Sequence, residues 1–310
     1  MALDNVLITG GSGFIGRHLA AELVRRGFKV TVPARRRERV KQSLILLPTV
    51  DVVEANINAP GVLEHLLQGK DAVINLVGVL HGPDFRGPHV ELPKAIVAAC
   101  RAKGVRRLVH MSALGASGDA ASEYQRTKAL GEELVLGAAD LDVSVFRPSV
   151  VFGPQDRFLN LFAELASFLP VLAIPRPQAR FQPVYVGDVA RAIAESLDDV
   201  HSHGRRYELG GPRQYTLKEL VHLVCSITGR RRLVVGLPDW AAYTQAWFLE
   251  HLPGTLMSRD NIRSMQAPNT TGAQFPFAIQ PQPLEAVAPA YLGHIDPRER
   301  LPQLRWRARR

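Results

Sequence analysis

The chain has 310 residues, 46% of them hydrophobic and 22% charged, with a formal net charge of +9. These values fit a folded globular protein and exclude disorder on a large scale. Two cysteines exclude a disulfide framework, no apolar run approaches the ~20 residues of a membrane helix, and nothing in the basic balance shows RNA-recognition or zinc-finger spacing.

The opening MALDNVLITGG has no basic n-region and reaches a glycine turn within its first residues, so it does not read as a signal peptide. A cytoplasmic protein is expected, with peripheral contact on the inner face of the membrane left open. Cys100 and Cys225 sit in apolar, helix-like segments and read as buried free thiols. Basic clusters at Arg35–Arg37, Lys103–Arg107, Arg230–Arg232 and Arg305–Arg310 read either as solvated surface or as sites for an anionic lipid or acidic partner. No nucleic-acid partner is expected.

In chain order, Asn5–Thr9 is an apolar strand, Gly10–Gly16 a turn, and Phe14–Arg26 a helix with Ile15, Leu19 and Leu23 on one face. Gly27 ends that helix. Strands follow over Phe28–Ala34 and Val50–Glu54, then a helix over Pro60–Leu67 and a strand over Ala72–Val77. Val90–Lys103 is a helix, Arg107–Met111 a strand, Ser122–Gly137 a helix and Val143–Arg147 a strand. This alternation specifies a doubly wound, mostly parallel α/β sheet of about seven strands.

After Pro148 the pattern is less regular. Helices are predicted over Leu159–Phe168, Asp188–Leu197, Thr216–Thr228 (with a Thr216/Glu219 capping box) and Trp240–Leu252. Strands are predicted over Phe181–Val186 and Tyr207–Leu209. Trp240, Tyr243, Trp247 and Phe248 fall at helical spacing and read as core or interface packing, with a surface for a hydrophobic partner or substrate such as a quinone tail as the alternative. Pro276–Pro289 should be irregular, and a basic tail containing Trp306 starts near Pro297. The expected division is a dinucleotide-binding domain over 1–150, a smaller, partly helical substrate or lid region over 151–296 with 181–198 returning to the first domain, and the tail over 297–310.

Chemistry concentrates at the first turn. Thr9-Gly10-Gly11-Ser12-Gly13-Phe14-Ile15-Gly16 follows a strand and opens a helix, the context in which glycines let the backbone approach a pyrophosphate and the helix N-terminus face it. Cofactor choice is read at the end of the second strand, where an acidic residue would bind a ribose 2′-hydroxyl. Ala34 is followed instead by Arg35 and Arg36, and Arg17 stands just past the last glycine. Guanidinium groups match a 2′-phosphate, so NADP(H) is preferred and NAD(H) is the alternative. Tyr124 and Lys128 are four apart on a predicted helix and share a face, twelve residues after Ser112 at a strand end. A nearby ammonium would favour the Tyr124 phenolate. No metal-ligand spacing is present.

The G-x-x-G-x-x-G spacing with Thr before it, together with Ser112 and Tyr124-x-x-x-Lys128, resembles the extended short-chain dehydrogenase/reductase superfamily of epimerases and dehydratases. The resemblance implies Tyr124 as general acid/base, Lys128 as its partner and a ribose ligand, and Ser112 as the donor that orients a substrate oxygen. His89 stands where active members usually carry Asn, and the loop Ala113–Ala120 is short and small for gripping a sugar. A narrower resemblance is carried by Asn75-Leu76-Val77-Gly78, Met111–Ala116, Arg147–Pro154, Asp156-Arg157-Phe158-Leu159-Asn160 and Phe181–Val186. These segments are similar to the Rossmann-type accessory subunit of respiratory complex I and its bacterial relatives. That branch implies a tightly held nucleotide, a respiratory-chain or other membrane-associated protein partner, and a link to quinone metabolism. By the same resemblance Asn56 and Ile57 lie near the adenine, Leu76, Val77 and Gly78 beneath the cofactor, and Pro148 and Val151 beside the nicotinamide. Two functions follow as expectations: a cofactor-holding component, or an NADP(H)-dependent oxidoreductase or epimerase.

Overall fold

A computed structural model describes residues 3–44, 46–251 and 257–293. The expected tail from Pro297, with Trp306, and Leu252 at the end of the aromatic helix lie outside the described residues. The first half contains β1 (Asn5–Thr9), α1 (Phe14–Arg25), β2 (Lys29–Ala34), α2 (Arg37–Leu44), β3 (Val50–Glu54), α3 (Val62–Leu67) and β4 (Ala72–Asn75). A single π-helical turn, Gly87–Glu91, leads into α4 (Leu92–Lys103), followed by β5 (Arg107–Met111), α5 (Glu123–Leu136) and β6 (Asp142–Pro148). The remainder contains β7 (Val151–Phe152), α6 (Leu159–Phe168), β8 (Val171–Pro175), β9 (Arg180–Phe181), β10 (Val184–Tyr185), α7 (Val186–Asp198), β11 (Arg205–Leu209), β12 (Tyr215–Thr216), α8 (Leu217–Ile227), β13 (Leu233–Leu237), α9 (Asp239–Glu250), α10 (Arg259–Ser264), α11 (Leu284–Val287) and α12 (Pro289–Leu292).

Seven strands form one parallel sheet in the order β11-β6-β5-β4-β1-β2-β3. Parallel strands need crossovers on both faces, and their residues are correspondingly apolar without strict alternation. One face is covered by α1 and α7, whose Leu19, Leu23, Val189 and Ile193 pack with Val6, Ile8 and Val32. The other is covered by α3, α4 and α5 against Leu7, Val73, Leu108 and Val145. Helix α7 and strand β11, which lie beyond residue 150, therefore complete this layer. A separate cluster built from α6, α8, β8 and β13 fills the C-terminal part, and Asp188 fastens a late segment to α7 by accepting from the Gln282 N–H at 2.7 Å.

Several elements differ from expectation for local reasons. The strand foreseen over Phe181–Val186 is two pairs of residues, β9 and β10: Pro183 has no N–H to give, and Gln182 turns its N–H to the Asn269 carbonyl. Strand β4 stops at Asn75, not Val77, because the Asn75 side chain accepts the Val77 N–H at 3.2 Å and bends the chain. The capping box at Thr216 and Glu219 forms as read. Trp240, Trp247 and Phe248 are exposed, which overturns core packing for these three, while Tyr243 is half-buried against Ala242, Ala246 and Ile262.

Candidate dinucleotide cleft

All seven strands of the sheet run the same way, so their C-terminal ends form one edge, where open α/β sheets bind ligands. The turn Gly10–Gly16 leaves β1 there, Arg35 and Arg36 follow β2, Asn56 and Ile57 follow β3, Leu76–Gly78 follow β4, Ser112 follows β5, and Pro148 ends β6 beside β7 with Val151. The topology thus brings the sequence-predicted residues to one edge from six different strands.

The glycine turn has little room for side chains on its inner side. Gly10 has φ +76°, and a Cβ on it would sit 3.0 Å from the Leu76 carbonyl carbon. A Cβ on Gly16 would come to 2.5 Å of Gly11 Cα. Gly13 caps α1 without any side-chain hydrogen bond, and no acidic residue stands in the first helical turn. The orphan N–H groups there present the positive end of a helix to whatever lies in the cleft. These features fit the pyrophosphate of a dinucleotide. Beneath them Thr9 donates to the Asn75 side chain at 2.9 Å, and Asn75 Nδ2 meets His110 Nδ1 at 3.2 Å.

At the far end of the cleft Lys128 is buried, and its Nζ donates to the Met111 carbonyl at 3.0 Å. Burial lowers its pKa to about 8. A Cβ at Gly78 would lie 3.0 Å from that Nζ, so the glycine allows the β4 loop to pass over the lysine. Tyr124 is half-buried, one helical turn earlier, and burial pushes its phenol up to about 12, so the phenolate expected from the nearby Lys128 is not favoured here. It packs edge-on to Phe85 and His89, with ring centroids 6.4 and 5.4 Å away.

His89 sits in the π-helical turn and is buried. Its Nε2 accepts the Val79 N–H at 3.1 Å, which leaves the proton on Nδ1, and Nδ1 meets Thr127 Oγ1 at 2.9 Å. Thr127 in turn donates back to the Glu123 carbonyl. Burial, reinforced by the Lys128 charge, lowers the His89 pKa to about 3. His89 is therefore a neutral strut between the β4 loop and α5. Gly131 makes this approach feasible, since a Cβ there would overlap the His89 carbonyl.

Ser112 is buried just past β5, with its hydroxyl beside the Glu132 carboxylate. Glu132 is itself fully buried and receives both arms of Arg147, at 2.7 and 2.8 Å, together with Arg206. This group of charges locks α5 onto β6 and β11. Arg35 and Arg36 are exposed at the end of β2, next to the Arg37 N–H that donates to Glu54 at 3.2 Å.

Three residues hold this geometry together through contacts distant in sequence. Asp260 on α10 caps α5, accepting from Ser122 Oγ at 2.7 Å, Glu123 N at 2.8 Å and Tyr124 N at 3.1 Å. Asn269 joins the Leu114 carbonyl to Ser149 and Val150. Gln182 donates to the Gly211 carbonyl at 2.7 Å and accepts from Thr271. The D-R-F-L-N run is explained locally: buried Asp156 caps α6 through Phe158 and Leu159 and accepts from the Tyr291 hydroxyl at 3.0 Å. Both cysteines are buried and free, and among the described residues there is no cluster able to hold a metal.

The family model for the NAD dependent epimerase/dehydratase family matches residues 6–210. The chain is 30% identical, over 90% of its length and 77% of the relative's, to the protein named NADH dehydrogenase [ubiquinone] 1 alpha subcomplex subunit 9, mitochondrial, of Mus musculus. It is 29% identical to a ceramide reductase of Caulobacter vibrioides, over 76% of this chain and 74% of the other. In fold it resembles the Bordetella bronchiseptica enzyme WbmF, solved in complex with NAD+, with a TM-score of 0.66 and 18% identity over 77% of this chain and 82% of that one. With the family model covering most of the chain, this protein belongs to the NAD dependent epimerase/dehydratase family.

Proposed function

We propose that the chain holds a nicotinamide dinucleotide, NADP(H) in preference to NAD(H), as a cofactor-holding component associated with a respiratory or quinone-linked partner on the cytoplasmic side of a membrane. The observation that carries this reading is the uncapped, acid-free N-terminus of α1 above a glycine turn in which Gly11 and Gly16 have no space for a Cβ. The turn residues Gly10, Ser12, Gly13, Phe14, Ile15 and Gly16 would hold the pyrophosphate. Arg17, Arg35 and Arg36 would meet a 2′-phosphate. Asn56 and Ile57 would border the adenine, Leu76–Gly78 would run beneath, and Pro148 and Val151 would flank the nicotinamide. The mouse relative's name supports a respiratory partner. The neutral His89 strut and the small Ala113–Ala120 loop support holding over turnover. The domain division is proposed as 1–150 for nucleotide binding, with 181–198 returning to it, the rest of 151–296 as the region above it, and 297–310 as a tail.

A second reading, reduction of a carbonyl or oxidation of an alcohol, is favoured by Tyr124 and Lys128 standing together on α5 and by the Caulobacter relative's name. The bound cofactor would supply a hydride donor or acceptor. Tyr124, whose burial keeps its phenol protonated, would hold the proton for a substrate oxygen. Lys128 would lie beneath the ribose, and Ser112 would orient the oxygen.

The test is to purify the full chain, extract any bound nucleotide and identify it, then offer a panel of carbonyl compounds. Retained NADP(H) that no compound oxidises supports the holding role. Turnover that vanishes in Tyr124→Phe moves the assignment to the enzyme. A preparation that binds neither nucleotide overturns both.

A further inference from the structure

Twelve large hydrophobic side chains are exposed among the described residues, and eight of them fall in three stretches: 168–171, 233–235 and α9. Scattered exposed apolar residues need no explanation, whereas a concentration marks a contact surface. The three stretches are neighbours. Strand β13 pairs in register with β8, Leu233 opposite Val171, and α9 contacts both strands. In this two-stranded sheet Leu172 and Val234 point into the core while Val171, Leu233 and Val235 face out. Trp240 is 75% exposed and Phe168 72%. Trp247 and Phe248 form an edge-to-face pair 5.0 Å apart on the open side of α9.

Helix α9 carries no unpaired acid among the described residues. The acids of α9 are both spent: Asp239 pairs with Arg176 at 2.9 Å and Glu250 with Arg259 at 2.9 Å. Arg230–Arg232 lead directly into β13; Arg231 is exposed, and Arg232 is pinned to the Ala166 carbonyl, beside Phe168. Tryptophan and phenylalanine beside arginine, with the acids neutralised, is the chemistry of a surface that sits in the headgroup region of an anionic bilayer.

We propose that this face, α9 with the outer side of the β8–β13 pair, docks onto an anionic lipid bilayer. The assignment does not depend on which nucleotide is held. It has a consequence for the cleft. Helix α9 packs on α10, whose Asp260 caps the helix bearing Tyr124 and whose Asn261 reaches the carbonyl of exposed Leu80 at 3.5 Å. A bilayer under α9 is thus separated by α10 from the helix that bears Tyr124.

The experiment is co-sedimentation of the full chain with vesicles of phosphatidylcholine alone and of phosphatidylcholine mixed with phosphatidylglycerol. The wild type sediments with the mixed vesicles. The triple variant Trp240→Ala, Trp247→Ala, Phe248→Ala, all exposed positions, loses at least about tenfold in vesicle affinity while nucleotide binding and circular dichroism stay unchanged. Arg231→Ala loses about fivefold on the mixed vesicles and nothing on phosphatidylcholine. Undiminished vesicle binding by the triple variant, or no binding by a wild type that still holds nucleotide, overturns the proposal. Self-association of the wild type that the triple variant abolishes, with no vesicle binding, overturns it in favour of a second copy.

Discussion

The Asp260 carboxylate accepts the backbone N–H of Tyr124 at 3.1 Å, and with it those of Glu123 and the Ser122 hydroxyl. A residue 136 positions away in sequence therefore caps the helix that bears Tyr124 and Lys128. The negative charge opposes the positive end of the α5 dipole, and three hydrogen bonds fix where that helix begins.

Removing this cap should be felt in both stability and the cleft. Asp260→Ala is expected to cost about 1–2 kcal/mol in urea unfolding, and to weaken nucleotide binding because Lys128 shifts with its helix. Asp260→Asn, which keeps an acceptor oxygen, should recover most of the loss. An alanine variant as stable as the wild type would show that the cap contributes nothing.

The cofactor preference rests on the residues after β2. Arg35→Ala with Arg36→Ala should weaken NADPH by at least about tenfold and NADH by far less, since a charge-assisted bond to phosphate contributes about 1.5–3 kcal/mol. Isothermal titration with each nucleotide measures this directly. Equal weakening of the two removes the 2′-phosphate assignment.

Lys128 opposes stability where it serves binding. Burial brings its pKa down to about 8 in the fold, against about 10.4 in an unfolded chain. As pH falls from 10.4 through 8 the unfolded chain takes up the proton first, so stability declines across that window and stays low below it. Lys128→Met should therefore stabilise the nucleotide-free protein by about 1–2 kcal/mol at pH 7, while weakening dinucleotide binding by about tenfold or more through loss of a charged donor. A variant both less stable and unchanged in affinity contradicts this account.

His89 and His110 are kept neutral down to about pH 3 by burial. Their folded pKa values lie below the unfolded value, so their contribution is complete above about pH 6.5 and is lost as pH falls from 6.5 toward 3. Each adds up to about 1 kcal/mol per pH unit to the slope in that window. His89→Gln, measured by urea unfolding at pH 6.5, 5.5 and 4.5 relative to wild type, should show a visibly flatter decline. An identical slope would mean that His89 already titrates in the fold near its ordinary pKa.

The apolar runs, the glycine turn and the capping boxes act through neighbours in sequence, and these were legible without coordinates. A strand–glycine–helix run and a Tyr and Lys four apart are local statements, because backbone sterics and the helical repeat reach only a few residues. Arg35 and Ser112 followed from the strand pattern, whereas Leu76 and Pro148 were placed beside the cofactor only by the family resemblance; a parallel sheet puts all those strand ends on one edge. What sequence spacing does not carry is the contact made across the fold. Nothing near Asp260 or Glu132 in the sequence marks either residue, and His89 stands out only because the resemblance expects Asn there. Their roles as helix cap, neutral strut and buried ion-pair centre arise because packing brings a late helix, a π-helical turn and two arginines on neighbouring strands against α5. The outward face of α9 belongs to the same class: the spacing of its aromatics marked one side of a helix, and only the position of the β8–β13 pair and α10 decided that this side is left open.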